Sequence, residues 1–278
     1  MNFIILEKMS YQKIIISRTD SIGDVILTLP MAGYLKKCFP QAKIVFFGKS
    51  YTKAVVDACK YVDEFLNYDE FQNLDREGQT SFLTQVKADV IAHVFPRKDI
   101  AHSARKAGIP VRIGTSHRFY HWTTCNKTVN FSRKNSDLHE AQLNFKLLAP
   151  LDLKVDLSLN EIVPFLALSV RTELPTAISQ LIGSNKTKVI LHPKSQGSAV
   201  EWGVEHFASL AALLIENGYE VIVTGTAKEK EMIADSTLFK VKGIVDLTAK
   251  LSLEELMALI AFCDVPVAAS TGPLHIAS

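Results

Sequence analysis

The stretch SRTDSIGDVILTLP, residues 17–30, continues from the apolar run KIIIS of residues 13–17 and marks the passage from a strand into a helix. Gly23 permits a tight turn between the two elements. Asp24 lies where the start of a helix favours a carboxylate. Two interpretations of Asp24 remain open at this point: a residue that only stabilises the helix start, or a catalytic base presented at the end of a strand.

Short apolar runs alternate with helical patterns along the rest of the chain. In the first half we predict strands at 13–17, 42–48, 63–68, 88–94 and 111–116, and helices near 24–38, 78–87 and 137–149. In the second half we predict strands at 187–193, 219–225, 243–248 and 263–270, and helices near 204–217, 227–236 and 252–262. This alternation is typical of parallel sheets covered by helices on both faces.

The economical architecture is an α/β protein with two Rossmann-like domains, residues 1–160 and 161–278, which meet in a stretch near 150–175. Parallel sheets of this kind bind ligands at the carboxyl ends of their strands. We therefore expect a ligand cleft between the strand ends of the two domains.

Composition excludes several classes of protein. The chain has 278 residues, 47% of them hydrophobic, and a formal net charge of +2, which indicates a well-packed globular protein and no nucleic-acid partner. No window approaches the roughly 20 apolar residues of a membrane span. The four cysteines are scattered without ligand or disulfide spacing, so we expect a cytoplasmic protein with reduced thiols and no metal site.

One segment departs from this charge balance. Between His93 and Lys134 the only acidic residue is Asp99. The basic residues of this segment are Arg97, Lys98, Arg105, Lys106, Arg112, Arg118, Lys127, Arg133 and Lys134. Such a cluster is either a solvated face or a binding site for an anionic surface or an acidic substrate, and both interpretations remain open.

Several familiar nucleotide motifs are absent. The tripeptide GKS at 48–50 lacks the glycine that a P-loop requires at position 43, where the residue is Lys43. The first strand is followed by RTDSIGD and not by the G-x-G-x-x-G pattern of dinucleotide-binding enzymes. No D-x-D pair occurs, which disfavours a sugar transferase that holds its nucleotide through a metal.

Three polar loops follow strands of the second half and are suited to a nucleotide. They are HPKSQGSAVEW (192–202), TGTAKEKE (224–231) and ASTGPLHIAS (269–278). Lys194, Ser195 and Ser198 offer donors to an anion, and Glu229 can accept hydrogen bonds from ribose hydroxyls. The last loop opens a helix whose free N–H groups suit a phosphate, and His275 faces either the ligand or the core.

The chain resembles glycosyltransferase family 9, the bacterial ADP-heptose:lipopolysaccharide heptosyltransferases. The resemblance lies in IIISRTDSIGDVILTLPMAGYLKKCFPQAKIVFFG, VILHPKSQGSAVEWGVEHFASLAALL with VIVTG, and LSLEELMALIAFCDVPVAASTGPLHIAS. It implies a GT-B fold with the acceptor in the N-terminal half and the nucleotide sugar in the C-terminal half. It also implies an inverting, metal-independent transfer that uses no cofactor besides the nucleotide-sugar donor, expected to be ADP-linked.

The resemblance also implies roles for individual residues. The Asp of the S-x-G-D turn, the proposed base of the family, is Asp24. The donor-binding candidates are Lys194, Ser195, Ser198, Glu229, Ser270, Thr271, Gly272 and His275. The acceptor-binding candidates are Arg18, Ser21, Gly23, Arg97 and Arg118. We expect a monomer that meets an anionic glycolipid acceptor at the inner membrane face, peripheral to that membrane.

Three departures from the family pattern keep alternatives open. Val200 stands where members often carry Lys or Arg, and Ser270 where heptosyltransferases commonly carry Asp. The chain stops at Ser278, soon after a helix begins, so we expect a C-terminally truncated second domain. The alternatives are a transferase that uses another nucleotide sugar, a catalytically inactive nucleotide-sugar-binding protein, and a GT-B-like nucleotide-sugar epimerase, which would act without an acceptor.

Overall fold

The computed structural model describes residues 10–183, 185–195, 200–269 and 272–278. The chain divides into two compact units, Met1–Ser169 and Val170–Ser278. Each unit contains one parallel sheet flanked by helices, so the predicted α/β class with two Rossmann-like sheets is confirmed.

The described strands of the first unit are β1 (Lys13–Ser17), β2 (Lys43–Gly48), β3 (Glu64–Asn67), β4 (Val90–His93), β5 (Val111–Thr115) and β6 (Lys127–Val129). They form one sheet in the order β3-β2-β1-β4-β5-β6. All neighbouring pairs are parallel. This is the strand order of a doubly wound Rossmann sheet, and the order reverses between β1 and β4.

Helices surround this sheet. They are α1 (Ile22–Ile26), α2 (Pro30–Cys38), α3 (Lys53–Ala58), α4 (Tyr68–Gln72), α5 (Arg76–Val86), α6 (Lys98–Lys106), α7 (Phe119–Thr124), α8 (Glu140–Lys146) and α9 (Leu159–Ile162). Short 3₁₀ turns occur at Ser50–Thr52, Ala149–Leu151 and Val163–Phe165.

The second unit repeats the plan with fewer strands among its described residues. Its strands are β7 (Lys188–His192), β8 (Glu220–Val223), β9 (Val245–Asp246) and β10 (Val265–Ala268). Its helices are α10 (Thr176–Leu181), α11 (Val204–Glu216), α12 (Ala227–Ile233), α13 (Leu253–Phe262) and α14 (Gly272–Ala277), with a 3₁₀ turn at Thr237–Lys240. The strands are all parallel in the order β10-β7-β8-β9, which reverses between β7 and β10.

The apolar runs become the central strands because both faces of each sheet are covered. Ile14, Ile15 and Ile16 of β1 are all fully buried, although successive side chains of a strand point to opposite faces. In the second unit the corresponding strand, β7, buries Val189, Ile190 and Leu191 in the same way. Continuous apolar runs are the expected sequence signature of such strands.

The helix predicted at 24–38 is wrong in its extent. Two helices occupy this region, α1 from Ile22 and α2 from Pro30, with a turn between them. Proline has no N–H to donate and its ring obstructs the preceding helical turn, so it is tolerated at the start of a helix and not in the interior. Pro30 therefore begins α2 and separates it from α1.

Residues 161–169, expected in the second domain, lie in the first unit. The Phe165 ring packs on Tyr34 of α2 with ring centroids 5.1 Å apart, and Leu168 pairs with Cys59 in an isolated antiparallel bridge. Gly33 allows this close packing, since a Cβ there would lie 2.2 Å from the Phe165 carbonyl oxygen. These contacts fix the segment to α2 and to the end of α3 in the first unit.

β6 was not predicted at all, because it is a three-residue edge strand with Lys127 and Thr128 exposed. Across the part of the chain that the structure describes, no helix is long and apolar enough to cross a membrane.

Candidate active site

The chain leaves the first sheet at the carboxyl end of β1, beside β4, and passes through residues 17–24 into α1. Open α/β sheets bind ligands where the strand order reverses, which is this position. A cavity of about 440 Å³ lies here. Its lining includes Arg18, Asp20, Asp24, His117, Arg118 and Arg133.

Asp24 lies in the first turn of α1, three residues after the helix cap Ser21. The Ser21 hydroxyl donates to Asp24 Oδ2 at 2.7 Å, and Arg18 Nη2 donates to Oδ1 at 2.5 Å. The Asp24 side chain is 35% exposed and lines the cavity. Each carboxylate oxygen accepts about two hydrogen bonds, so each keeps one site for a further donor. Asp24 therefore combines the helix-start role with access to the cavity.

Arg18 is buried beneath this carboxylate, with only 4% of its surface exposed. Besides Asp24, its guanidinium donates from Nε to Asp20 Oδ1 at 2.7 Å and from Nη1 to Glu140 Oε1 at 2.9 Å. Burial lowers the pKa of Arg18, but the carboxylates, Asp20 foremost, more than offset this and raise the pKa above its ordinary value. Burial raises the pKa of Asp20 above its ordinary value, although the nearby charge of Arg18 acts to lower it.

A second layer of polar groups, from α8 and from the segment between β6 and α8, supports this cluster. Arg133 Nε donates to Glu140 Oε1 at 3.0 Å, and Arg133 Nη2 donates to Asn144 Oδ1 at 3.0 Å. The Asn144 amide in turn donates to the Leu27 carbonyl at 3.2 Å, just beyond α1. Glu140, Arg133 and Asn144 thus join α8 to the helix that carries Asp24. The sequence analysis did not assign these three residues to the site.

The five acceptor-binding candidates occupy different environments. Arg18 lines the cavity but is largely buried, and its guanidinium is engaged with carboxylates, Asp24 among them. Ser21 caps α1, and Gly23 is buried within that helix and not in a turn. Arg118 is exposed and lines the cavity beside Asp24. Arg97 lies in a neighbouring cavity.

This neighbouring cavity, of about 750 Å³, lies among α4, α5, α6 and α7. Its lining includes the basic residues Arg76, Arg97, Lys98, His102 and Lys106. The Arg97 guanidinium lies 4.3 Å from the Tyr68 ring centroid and also bonds the Tyr68 hydroxyl. Burial and the hydrogen bond that Tyr68 donates to Asp99 raise the pKa of Tyr68 to about 12. Arg97 Nε is buried and has no hydrogen-bond partner in the described chain.

In the second unit, Lys194 and Ser195 follow β7 at the edge where the strand order reverses. Both contact Glu201, which the sequence analysis did not assign to the site. Lys194 Nζ pairs with Glu201 Oε2, and the Ser195 N–H and hydroxyl donate to Oε1 at 2.9 and 3.1 Å. The hydrogen bond from Lys194, aided by those from Ser195, lowers the pKa of Glu201. The Glu201 carboxylate thus occupies an anion site formed by the Lys194 ammonium and by the N–H and hydroxyl of Ser195.

Glu229, the residue expected to bind ribose hydroxyls, stabilises the start of α12. Its Oε2 accepts a hydrogen bond from the Thr226 N–H at 2.7 Å, and Thr226 caps the helix in return. Glu229 is only 4% exposed, and its Oε2 lies 3.6 Å from Nε2 of the buried His192. Burial lowers the pKa of His192, although Glu229 acts in the opposite direction. The T-x-x-E spacing of residues 226–229 is a capping box, which explains this position.

Of the remaining donor-binding candidates, all but Ser198 come after β10 in the sequence. Gly272 begins α14, and His275 lies one turn further along that helix, half-buried. Ser198, Ser270 and Thr271 lie outside the described residues. Val200 is uncharged, so it supplies no cation at this position. Its side chain is 97% exposed and therefore packs little against the rest of the protein.

Within residues 10–183, 185–195, 200–269 and 272–278, no three His, Cys, Asp or Glu side chains are arranged to hold a metal ion. All four cysteines are free thiols.

The chain is similar to known proteins over most of its length. The model of glycosyltransferase family 9 (heptosyltransferase) matches residues 99–278. A Haemophilus influenzae protein with a provisional glycosyltransferase name is 26% identical over 286 residues, which cover 96% of this chain and 79% of that protein.

Solved structures share the fold. A glycosyltransferase family 9 protein from Veillonella parvula DSM 2008 has a TM-score of 0.79 at 20% identity, covering 97% of this chain and 78% of that one. The E. coli ADP-heptose lps heptosyltransferase II has a TM-score of 0.74 at 20% identity, covering 96% of this chain and 81% of that one. The two parallel sheets described above are therefore those of a GT-B-like fold.

Proposed function

Because the chain belongs to glycosyltransferase family 9, we propose that it transfers heptose from ADP-heptose to a lipopolysaccharide-core or related glycolipid acceptor. It is a glycosyltransferase enzyme, and the donor, acceptor and stereochemistry are the proposed parts. The observation that carries the proposal is the Asp24 carboxylate, held by Arg18 and Ser21 at a cavity where the strand order of the first sheet reverses.

The proposed reaction is a single displacement with inversion. The acceptor hydroxyl gives its proton to Asp24 while its oxygen forms a bond to the anomeric carbon of the donor. The bond from that carbon to the diphosphate oxygen breaks, and its electron pair leaves with ADP. One carboxylate therefore supplies the acid–base chemistry of the step.

Arg18 and Glu140 are positioning residues in this account. The Arg18 guanidinium is fixed by Asp20 and Glu140, so its contact with Asp24 restricts the carboxylate to one orientation. Restricted orientation of a catalytic group contributes substantially to rate, because the reacting atoms must align. The free acceptor sites of Asp24 then point to a hydroxyl bound in the cavity.

The leaving diphosphate needs positive charge and N–H donors, which we assign to Lys194, Ser195 and the start of α14. Lys194 and Ser195 already hold one anion, the Glu201 carboxylate. We propose that a donor phosphate displaces Glu201 from these two residues, and that no metal ion or other cofactor is required.

The acceptor is assigned to the first unit. Arg118 at the Asp24 cavity and Arg97 at the larger neighbouring cavity are candidate contacts for its anionic groups. The unpartnered Nε of Arg97 and the surrounding basic side chains favour a phosphorylated sugar there.

The proposed reaction is tested by incubating the full chain with ADP-heptose and a lipopolysaccharide-core acceptor, with and without EDTA. We expect ADP release only when the acceptor is present, unchanged by EDTA, and a product of inverted anomeric configuration by NMR. Equal turnover of UDP- or GDP-sugars would identify another donor. Donor binding without any transfer would indicate the inactive binding protein.

The donor site is tested separately by calorimetry with ADP. Lys194→Ala is expected to weaken ADP binding about tenfold, because a charge-assisted contact is lost. Glu201→Gln removes the competing carboxylate charge and is expected to strengthen ADP binding. Weaker binding in both variants would mean that the Glu201 carboxylate supports the site and does not compete for it.

A further inference from the structure

Helix α7 exposes two large aromatic side chains. Phe119 is 81% exposed and Trp122 is 64% exposed, and their rings meet edge to face with centroids 5.3 Å apart. The indole N–H of Trp122 donates to the Ser116 carbonyl at 2.8 Å. Since this is the only polar group of the indole, the part of Trp122 that faces solvent is hydrocarbon.

The rest of α7 is firmly held, so this exposure does not come from a loose helix. His121 and Thr124, on the opposite face, are almost fully buried. At the carboxyl end of the helix, Arg105 Nη1 donates to the Thr123 carbonyl and Arg112 Nε to the Thr124 carbonyl, both at 2.7 Å. Cations are favourable at this end of a helix. The fold therefore fixes Phe119 and Trp122 in an outward orientation.

The charged residues of the chain segment around α7 are all basic. No acidic residue occurs between Asp99 and Asp137 in the sequence. The charged residues of this interval that are exposed are Arg105, Lys106, Arg118, Lys127 and Lys134. Arg118 directly precedes the helix, and Arg105 contacts its last turn. An apolar pair bordered by cations complements a surface that is apolar inside and anionic outside.

We propose that α7 is a membrane-docking element, in which Phe119 and Trp122 insert at the headgroup level of an anionic bilayer and the surrounding Arg and Lys side chains bind its phosphates. Tryptophan is enriched at membrane interfaces. Basic residues near an anionic leaflet add attraction that salt screens. The proposal extends the proposed function, because it explains how an enzyme with a glycolipid acceptor reaches it, but vesicle binding requires neither donor nor acceptor.

Insertion is tested by tryptophan fluorescence, since Trp122 and Trp202 are the two tryptophans of the chain. In Trp202→Phe, where only Trp122 emits, phosphatidylglycerol-containing vesicles are expected to shift the emission to shorter wavelength, and brominated lipids to quench it. In the matched variant Trp122→Phe, emission from Trp202 is expected to stay unchanged. Unchanged Trp122 emission with vesicles that bind the protein would overturn the proposal.

Binding is tested by cosedimentation of the full chain with the same vesicles. Phe119→Ser with Trp122→Ser is expected to lower the partition coefficient about tenfold or more, because apolar burial is lost. Leu213→Ser, which alters a 57% exposed apolar residue on α11, is the control and should bind like the wild type. Vesicles of pure phosphatidylcholine should bind more weakly, and added salt should weaken binding to the anionic ones.

Two further results would overturn the proposal. One is equal binding of the double serine variant and the wild type. The other is a change from dimer to monomer in the double serine variant, measured by ultracentrifugation without lipid, which would make α7 a protein interface. Transfer to a water-soluble acceptor should be unaffected in the double variant, so loss of the proposed activity and loss of membrane binding remain distinguishable.

Discussion

Arg18 holds three carboxylates in a position from which water is almost excluded. Its side chain is 4% exposed and contacts Asp20, Asp24 and Glu140 at 2.5–2.9 Å. Removal of one partner of a buried ionic cluster leaves uncompensated charge, which is much more costly than the loss of a surface ion pair. Arg18 therefore has a structural as well as a positioning role.

At the residue scale we predict that Arg18→Gln lowers the free energy of unfolding by about 3–5 kcal/mol, because three carboxylates lose their common cation. Arg118→Gln, at an exposed position of the same cavity, should change it by less than about 0.5 kcal/mol. Urea denaturation followed by circular dichroism measures both. Similar losses in the two variants would contradict the buried-cluster interpretation.

Sequence reasoning at this scale identified Asp24 but not its environment. The strand-to-helix passage around Gly23 indicated a carboxylate at the end of β1. The sequence alone could not show that Arg18 turns inward, because its partner Glu140 is 122 residues away. Glu201 was missed for a different reason: a carboxylate that pairs with the cation of a binding site leaves no recognisable pattern in the nearby sequence.

At the element scale, α2 depends on a glycine that permits another segment to pass closely. The backbone at Phe165 lies against Gly33, and the Phe165 ring packs on Tyr34 and, with centroids 6.5 Å apart, near Phe145. A side chain at position 33 would have to displace backbone, which cannot adjust as a flexible side chain can.

We predict that Gly33→Ala destabilises the protein by about 1–3 kcal/mol, because overpacking outweighs the better helix propensity of alanine. Gly78→Ala in α5 is the matched control. Its Cβ would meet Asp75 Oδ1 at 3.0 Å and Leu74 Cβ at 3.2 Å but no backbone atom, so its loss of stability should be smaller than that of Gly33→Ala. Thermal unfolding of both variants tests this. A stabilised Gly33→Ala variant would contradict the packing described for residues 161–169.

The elements that sequence predicted correctly are those with buried apolar runs, such as β1, β2 and β7. The failures have local causes. Pro30 divides what periodicity alone predicts as one helix, and β6 has no apolar run because it lies at an edge. The T-x-x-E spacing at 226–229 is a capping box, which gives Glu229 a structural role at the start of α12.

At the scale of the whole molecule, stability depends on buried histidines that remain neutral. His93, at the end of β4, is fully buried and stacks on His121 with centroids 5.5 Å apart. Neither ring nitrogen of His93 has a hydrogen-bond partner among the residues that the structure describes. Burial, reinforced by the charges of His121 and Arg112, lowers the pKa of His93 from 6.5 to about 3.

We predict a loss of stability in acid that His93 accounts for in part. Below pH 6.5 the unfolded chain binds a proton at this residue, whereas the folded chain does not until about pH 3. The free energy of unfolding therefore falls with decreasing pH over this range, by up to about 1.4 kcal/mol per pH unit from this group. Urea unfolding between pH 7 and pH 4 should show a shallower decline for His93→Leu. Parallel declines would contradict the prediction.

Assay of Asp24→Asn with ADP-heptose and a core acceptor tests whether Asp24 is the catalytic base. Asparagine keeps the shape of the side chain and removes its basicity, so we predict unchanged ADP binding and a transfer rate lower by about 10²–10⁴-fold. Asp57→Asn, at a 46% exposed carboxylate on α3, should behave as the wild type. Transfer at the wild-type rate by Asp24→Asn would mean that Asp24 only stabilises the start of α1.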